Sequence, residues 1–452
     1  MAINKSIKEK EYSPLSLYYL KHKDNGKFWN CLQEQIRMQY LPIKELKKIQ
    51  WEKFKKLIDH AYQNVPFYKE LFDKADIKPN DIKRKSDIQK IPIVTKEDLR
   101  KAFREGKCIA KNITNSRWVY EKTSGSTNEP FEFYKDKNEE MLENCCLLRQ
   151  KLITGYGLGE SSLLMRGLEP KKPIKQKILG LLFKKRHFLC LFNIDEKRIP
   201  GYIHLIKDKK IKLIECFPSG LKEIAIYIKR EGIDIKVNSV ISCGEKLSIK
   251  DKKVIEEAFN TKVFENYSAA EVMELAFGCE LRNGLHIDNS RYLLELIKNN
   301  KPAKKGEEGE VIVTNLNNYV MPFIRYKLGD KAAFAKKKCS CGRGFPLIKE
   351  LKGRIIENFK TPDGRILNYH FFSTVLDNEH ENILKYQIAR SKNNQILINI
   401  VPNATFSDTI KNRIYEEISE HVGSSMKIKI CLVSEIPKGN TGKHIMMKPE
   451  VA

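Results

Sequence analysis

The region from residue 210 to residue 265 constrains the fold most, because strand-like and helix-like segments alternate through it. Short apolar strands are predicted at 210–216, 237–243 and 262–265. Helices are predicted between them, at 219–230 and 248–259. Strand, helix, strand in that order predicts parallel strands joined by crossover helices, and therefore an α/β layer.

Different patterns flank this region. Residues 44–75 carry apolar side chains at helical spacing, and Pro66 closes that segment. Residues 287–330 contain short strands separated by turns, which indicates a small antiparallel, barrel-like segment. After about residue 353 a smaller α/β unit follows. We therefore expect a multi-layer α/β (α+β) fold, with a large N-terminal domain at 1–353 and a small mobile C-terminal domain at 354–452.

The charge of the chain bears on the class of its ligands. The 452 residues include 83 Lys+Arg against 57 Asp+Glu, a formal net charge of +26. Such a charge invites a nucleic-acid or membrane-surface interpretation. The lysines are scattered, however, with small clusters such as 171–177 and 184–186, and no zinc finger of the nucleic-acid-binding kind or aromatic–basic RNA motif accompanies them. We therefore favour an enzyme with anionic ligands and expect no specific nucleic acid.

Hydropathy and cysteine usage indicate the compartment. No stretch approaches the roughly 20 apolar residues of a membrane helix, and the first residues, MAINKSIKEKEY, lack the apolar run of a secretory signal. Eleven cysteines, an odd number, are spread along the chain, which predicts reduced thiols rather than disulfides. We expect a soluble cytoplasmic protein without a membrane span, and the oligomeric state stays open.

Residues 123–130, TSGSTNEP, form a candidate phosphate-binding loop after a predicted strand. Small residues let backbone N–H groups approach an anion closely, and hydroxyls add further donors. An ordinary polar turn has the same composition, so composition alone leaves the two interpretations equal. The loop is not the G-x-x-x-x-G-K-[ST] type, since no lysine follows the glycine.

The order of eight phrases along nearly the whole chain is more specific than any one of them. Together they resemble the adenylate-forming superfamily of acyl-CoA ligases, and within it the phenylacetate–CoA ligase branch with its CapK-like proteins of capsule polysaccharide clusters. The phrases are HAYQNVPFYKELF (60–72), IPIVTKEDLR (91–100), TSGSTNEP (123–130), SCGEKL (242–247), ENYSAAEV (265–272), GEEGEVIVTNLNNYVMPFIRYKLGD (306–330), KGRIIE (352–357) and IPKGNTGK (436–443).

The resemblance implies a set of nucleotide-binding residues. The loop 124–127 would grip the β- and γ-phosphates of ATP, and the pair at 244–245 would line the adenine pocket. Tyr267 would stack on adenine, and Asp330 would bind both ribose hydroxyls, a role that suits a carboxylate because it accepts two hydrogen bonds. The implied residues are Ser124, Gly125, Ser126, Thr127, Gly244, Glu245, Tyr267, Asp330 and Arg354.

The resemblance also implies a reaction, in which a carboxylate attacks the α-phosphorus of ATP and pyrophosphate leaves. Glu271 would hold Mg²⁺, Arg354 would lie beside the nucleotide at the domain junction, and Lys443 would bridge the acid and the α-phosphate. Two anions approach each other, so these positive charges would stabilise the transition state. A hinge near 353–357 would bring Lys443 in for adenylation and withdraw it for acyl transfer.

Some positions depart from the family pattern. Ala270 stands where Ser or Thr usually contacts the α-phosphate, Asn128 replaces the usual glycine, and Phe131 stands where many members have lysine. The acid at the domain junction is Glu357 rather than aspartate. Ala270 in particular keeps open a degenerate member that binds nucleotide without catalysis.

Four residues have the spacing of a metal site. Cys279 and His286 form C-x₆-H, and Cys339 and Cys341 form C-x-C. Three thiolates and one imidazole make a closed tetrahedral set of the structural zinc type, and the resembled branch often carries such a site here. Two unrelated reduced cysteine pairs with a solvated histidine are the alternative. We expect a stabilising zinc.

The predicted function is ATP-dependent activation of a small carboxylic acid or amino acid as its acyl-adenylate, followed by transfer to an acceptor. The implied cofactors are ATP, Mg²⁺, structural Zn²⁺ and, as the commonest acceptor of the superfamily, coenzyme A. CapK-like relatives make an amino sugar or sugar nucleotide the alternative acceptor. The degenerate nucleotide-binding member and the charge-driven nucleic-acid binder are the alternatives from other classes.

Overall fold

The computed structural model of the chain describes residues 13–122, 131–166, 185–190, 193–194, 196–244, 247–352, 359–363, 366–367, 371–372, 375–376, 378–379, 381–391, 395–436 and 447–451. The α-helices in these ranges are α1 Pro14–His22, α2 Lys27–Met38, α3 Ile43–Asn64, α4 Pro66–Lys74, α5 Lys96–Arg104, α6 Lys137–Ile153, α7 Ile199–Asp208, α8 Pro218–Arg230, α9 Ile249–Ala258 and α10 Asp408–Val422.

The strands in the same ranges divide into four sheets. They are β1 Trp118–Lys122, β2 Glu132–Asp136, β3 Ser162–Arg166, β4 Arg186–Cys190, β5 Asn193–Ile194, β6 Leu213–Cys216, β7 Ser239–Ser242, β8 Lys262–Ala269, β9 Val272–Gly278, β10 Leu285–Ile287, β11 Tyr292–Lys298, β12 Lys301–Pro302, β13 Glu308–Asn315, β14 Tyr326–Phe334, β15 Leu347–Lys352, β16 Phe359–Lys360, β17 Ile366–Leu367, β18 Ile383–Ser391, β19 Gln395–Pro402, β20 Lys427–Leu432 and β21 Met447–Val451.

The predicted strand–helix alternation forms a parallel layer. Strands β4, β3, β6, β7 and β8 are parallel neighbours in that order. Residues of α7, α8 and α9 share one apolar cluster with alternate strand residues such as Ile214, Val240 and Val263. Leu213, Ile241 and Phe264, which alternate with them, lie in a different cluster with Tyr156. Strands β6 and β7 are therefore buried on both faces, which is the reason that apolar residues occupy both of their faces.

The strands predicted as barrel-like are antiparallel, and they continue the same sheet. The full order is β12-β11-β13-β14-β15-β10-β9-β8-β7-β6-β3-β4, which gives 12 strands among the residues that the structure describes. Helices α3, α4 and α5 share the largest apolar cluster with β11, β13 and β14. The antiparallel part thus brings β14 to the same core as the N-terminal helices.

Pro66 both ends and begins a helix. The predicted helix over 44–75 is divided into α3, which ends at Asn64, and α4, whose first residue is Pro66. Proline has no N–H and a fixed φ, so it suits the first helical position and interrupts a helix elsewhere. Its role is to start α4 as well as to close α3.

Buried ion pairs fix α6 against the antiparallel strands. Arg149 Nη2 lies 2.7 Å from Asp288 Oδ2, and both side chains are buried. Arg291 Nη2 lies 2.8 Å from Glu139 Oε1, also out of contact with solvent. Because an unpaired buried charge is costly, these contacts set the position of α6 strongly.

The C-terminal part forms a sheet of its own. Its order is β20-β19-β18-β21, and its apolar face packs with buried residues of α10 such as Ile414 and Ile418. A three-stranded sheet, β16-β17-β5, pairs residues 366–367 with 193–194. The predicted hinge at 353–357 lies outside the described residues. Within the described ranges, no helix is both long enough and apolar enough to cross a bilayer.

Candidate active site

Three residues from two separate sequence motifs meet at β14. Tyr267 lies near the end of β8, Glu271 lies in the turn to β9, and Asp330 lies in β14. The Tyr267 hydroxyl donates a hydrogen bond of 2.8 Å to Asp330 Oδ2. Burial and the neighbouring carboxylates of Asp330 and Glu271 raise the pKa of Tyr267 far above its usual value, so the hydroxyl stays protonated and can donate.

Glu271 is a buried carboxylate held by two donors. Lys96 Nζ lies 2.9 Å from its Oε1, and the Tyr326 hydroxyl donates to the same oxygen at 2.9 Å. Burial raises the pKa of Glu271, but Lys96 and Tyr326 outweigh it and the pKa lies below its usual value. Glu271 is therefore ionised at neutral pH. An ionised carboxylate fits Mg²⁺, which is commonly held by one or two carboxylates together with substrate phosphates.

Lys96 is a site residue that the sequence analysis missed. Thr95 caps α5, accepting from Asp98 N at 3.2 Å, and this places Lys96 at the first position of the helix. The preceding Val94 forms a bridge with Tyr326, the first residue of β14, and its N–H donates to the Arg325 carbonyl at 3.0 Å. The available signal was the phrase IPIVTKEDLR, but nothing in it reveals that its lysine meets Glu271.

Phe131 is a core residue rather than a solvent-facing one. Its ring stacks with Phe133 at a centroid distance of 5.7 Å, and it has no exposed surface. Lys96 Nζ lies 5.8 Å from the centroid of the same ring. The position at which many resembled proteins have a lysine is therefore apolar here, and a different lysine lies above it.

Gly244, predicted to line the adenine pocket, is a position that only glycine can occupy. Its φ is +78°, and an added Cβ would lie 2.5 Å from Cε1 of Phe217. Both the backbone and the neighbouring ring exclude a side chain there. The Phe217 ring therefore packs directly against the backbone at Gly244.

Several predicted residues lie outside the described residues. They are Ser124, Gly125, Ser126, Thr127, Glu245, Arg354 and Lys443. Of the predicted nucleotide and magnesium residues, the structure brings together Tyr267, Glu271 and Asp330. Ala270 is half-buried against the largest apolar cluster, so its methyl group contributes to packing.

The four predicted zinc ligands converge between β9, β10 and the β14–β15 loop. Their ligand atoms all lie within 4.8 Å of one another, and Cys279 and His286 are buried. Cys279 Sγ is 3.7 Å from Cys339 Sγ, and Cys341 Sγ is 3.3 Å from His286 Nε2. Tetrahedral zinc with Zn–S bonds of about 2.3 Å separates two sulfurs by about 3.8 Å. The donor set and its spacing fit zinc.

The surroundings also orient the ligands. His286 donates from Nδ1 to the Phe345 carbonyl oxygen at 3.0 Å, which leaves the Nε2 lone pair facing Cys341. A second partner of this kind commonly fixes the tautomer of a metal-binding histidine. A hydrogen bond from Cys279, helped by Arg343, lowers the pKa of the Cys341 thiol against the effect of burial, which favours the thiolate that metals require.

The chain is similar to known proteins both in sequence and in fold. Residues 359–450 match the CapK C-terminal domain family. A phenylacetate–coenzyme A ligase of Thermus thermophilus is 22% identical over 450 residues, spanning 90% of this chain and 97% of the relative. Protein CapK of Staphylococcus aureus is 22% identical over 447 residues, spanning 96% of each chain.

A solved structure gives the same fold. The 2-hydroxyisobutyryl-CoA ligase in complex with 2-HIB-AMP and CoA has a TM-score of 0.65 to this chain at 18% identity, and the match covers 91% of this chain and 92% of that one. The fold is therefore that of the adenylate-forming, CoA-ligase-like enzymes. Within that class the chain is similar to phenylacetate–CoA ligases and to CapK. The predicted fold class, resemblance and ligase class are confirmed.

Proposed function

We propose that this chain is an ATP-dependent ligase that activates a small carboxylic acid as its acyl-adenylate and transfers the acyl group to coenzyme A. The observation that supports it most is the meeting of Tyr267, Glu271 and Asp330, since Asp330 comes from a different motif of the resembled family than the other two, about 60 residues further along the chain. In this proposal Asp330 accepts from the ribose hydroxyls, while Tyr267 keeps its carboxylate in place. Glu271 would hold Mg²⁺, which would neutralise phosphate charge.

The positive charge for phosphate comes from two lysines in this proposal. Lys96 lies beside Glu271 and over Phe131, where the usual lysine is missing. Its ammonium would offset negative charge on the departing pyrophosphate. Lys443 would act on the acid and the α-phosphate, and it would arrive and leave with the small domain, 354–452, about a hinge at 353–357. Preorganised charge of this kind is typically worth about 3–4 kcal/mol in the transition state.

An amino sugar is the alternative acceptor, because the C-terminal residues match the CapK family and CapK of S. aureus aligns over nearly the whole chain. An amine would attack the same acyl-adenylate and release AMP, giving an amide in place of a thioester. The two acceptors share the first half-reaction and differ in the second. We also propose a cytoplasmic location, where ATP and coenzyme A are both present.

We further propose one structural zinc per chain at Cys279, His286, Cys339 and Cys341. All four tetrahedral positions are taken by protein side chains, so the site has no place for a substrate. Zinc would cross-link β9, β10 and the β14–β15 loop, and it would take no part in the ligase reaction.

ATP–pyrophosphate exchange over a panel of carboxylic and amino acids tests the first half-reaction. Exchange with at least one acid is expected, and Lys443→Ala should abolish it while the thermal unfolding temperature is retained. Lys253→Ala, an exposed lysine on α9, is the matched control and should exchange normally. ATP binding without exchange by any acid would indicate the degenerate member instead. Product analysis with coenzyme A or an amino sugar then separates thioester from amide formation.

A further inference from the structure

A cavity of about 160 Å³ lies between α1, α6 and the face of the parallel sheet. Phe28 and Leu148 are among the residues that line its apolar part, and Lys151, Arg186 and Glu215 line its polar part. Ligand sites are commonly clefts of this kind, mostly apolar with a few placed polar groups.

The cavity lies next to the proposed nucleotide site. The polar residues Glu215 and Arg186 lie on β6 and β4, and strands β7 and β8 separate these from β9 in the sheet order. Met273, which also lines the cavity, is two residues from Glu271. Because only one residue separates them, the Cα atoms of Glu271 and Met273 are at most about 7 Å apart. An acid in the cavity could therefore direct a carboxylate towards the ATP phosphates.

The lining of the cavity as a whole carries excess positive charge. Glu215 Oε1 accepts from Lys151 Nζ at 2.7 Å and lies 3.3 Å from Arg186 Nη2, and the Glu215 side chain is only 5% exposed. Lys23, a third cation in the lining, lies with Nζ 4.0 Å from the centroid of the Phe28 ring. Three cations and one anion leave a net charge of +2, which attracts a second anion and repels an ammonium group.

We propose that this cavity binds the body of the acid substrate and selects an acid with a second anionic group, a dicarboxylate, at the end remote from ATP. One carboxylate is adenylated, and the other is bound by Arg186 and Lys151. This inference rests on the proposed function, and it names the substrate class that the function leaves open. An arginine fork matches a carboxylate with two parallel hydrogen bonds.

Matched pairs of acids test the inference by ATP–pyrophosphate exchange with the full chain. The pairs are butyrate and succinate, hexanoate and adipate, and octanoate and suberate, so each pair has one length and differs in the second carboxylate. At the chain length that gives the fastest exchange, kcat/KM for the dicarboxylate is expected to exceed kcat/KM for the monocarboxylate by at least about tenfold. That factor corresponds to the free energy of one charge-assisted hydrogen bond. A ratio near one at every length would overturn the inference.

Three variants test which residues produce the preference for a second carboxylate. Arg186→Gln should lower the dicarboxylate-to-monocarboxylate ratio about tenfold or more, and it should fold because Lys151 still neutralises Glu215. Leu148→Trp fills the cavity and should reduce exchange with both members of each pair. Lys253→Gln removes an equal charge from the exposed face of α9 and should leave the ratio unchanged. An unchanged ratio in Arg186→Gln would contradict the inference.

Direct binding separates this inference from the proposed function. If no acid supports exchange, the proposed function fails, and isothermal titration with succinate, adipate and suberate still tests the cavity. Binding that Arg186→Gln weakens by about tenfold or more supports an anion site there. Absence of binding by all three probes would overturn it.

Discussion

Replacing Lys96 with methionine keeps the length of the side chain and removes the cation beside Glu271. At 2.9 Å, two unit charges attract by about 6 kcal/mol at an effective dielectric constant of 20. Desolvation offsets part of this attraction. Removing one partner of a buried pair typically costs 3–5 kcal/mol. Because the Lys96 side chain is 30% exposed and that of Glu271 only 5%, we expect about 3 kcal/mol, the lower end of that range.

The pH dependence of this loss has a defined sign. In the unmodified protein the pKa of Glu271 is depressed, so its contribution to stability is present above the unfolded value of 4.5 and is lost as pH falls through the folded pKa. In Lys96→Met the ammonium group that lowers the pKa of Glu271 is missing, whereas burial still raises it, so the pKa of Glu271 rises. The stability difference between the two proteins should therefore be largest near neutral pH and decrease in acid.

Urea unfolding at pH 7 and pH 4 measures both effects. Lys69→Met is the matched control, because Lys69 and Asp73 form an exposed ion pair at 2.5 Å and such pairs contribute at most about 1 kcal/mol. Adding Glu271→Gln to Lys96→Met should restore part of the lost stability. A loss below 1 kcal/mol at pH 7, equal to that of Lys69→Met, would refute the buried-pair reasoning.

Freshly purified protein should contain about one zinc per chain. The variant Cys341→Ser should lose both the metal and its solubility, whereas the control Cys431→Ser should keep both. A metal analysis that finds no zinc in the unmodified protein would contradict the zinc site. Tyr267→Phe removes the hydroxyl that donates to Asp330 at 2.8 Å, so the affinity for ATP should fall about tenfold in a binding assay. If the affinity falls no more than in the exposed control Tyr120→Phe, the ribose site at Asp330 is contradicted. Asp288→Asn leaves Arg149 buried without its full charge partner, and unfolding should show a loss of about 3 kcal/mol or more; a loss within 0.5 kcal/mol would contradict it.

Local sequence was sufficient for most elements of the α/β layer. The predicted helix at 219–230 is Pro218–Arg230, and the predicted strand at 237–243 is Ser239–Ser242. These elements are predictable because their signals are local: apolar periodicity, a capping residue such as Ser248, and a break at Pro66. Each signal depends on residues within one or two helical turns of each other, so it can be recognised without knowing which segment the element packs against.

The metal cluster was predictable for a different reason. Few roles other than metal binding need cysteine and histidine at the spacings C-x-C and C-x₆-H. The structure brings the two pairs together. The polar end of the cavity had no such signal. Lys151, Arg186 and Glu215 are ordinary charged residues in a chain with many, and their meeting depends on how α6 packs against β4 and β6.

The sequence by itself determined the order of strands and helices in the α/β layer and the class of the fold, and it predicted Tyr267, Glu271 and Asp330 as site residues, because these follow from local pattern and from ordered motifs. Only the tertiary structure decided that Lys96 is the partner of Glu271 and that the lining of the cavity is positive. Such contacts join residues far apart in the chain. Their geometry comes from packing of the whole core, which no short stretch of sequence encodes.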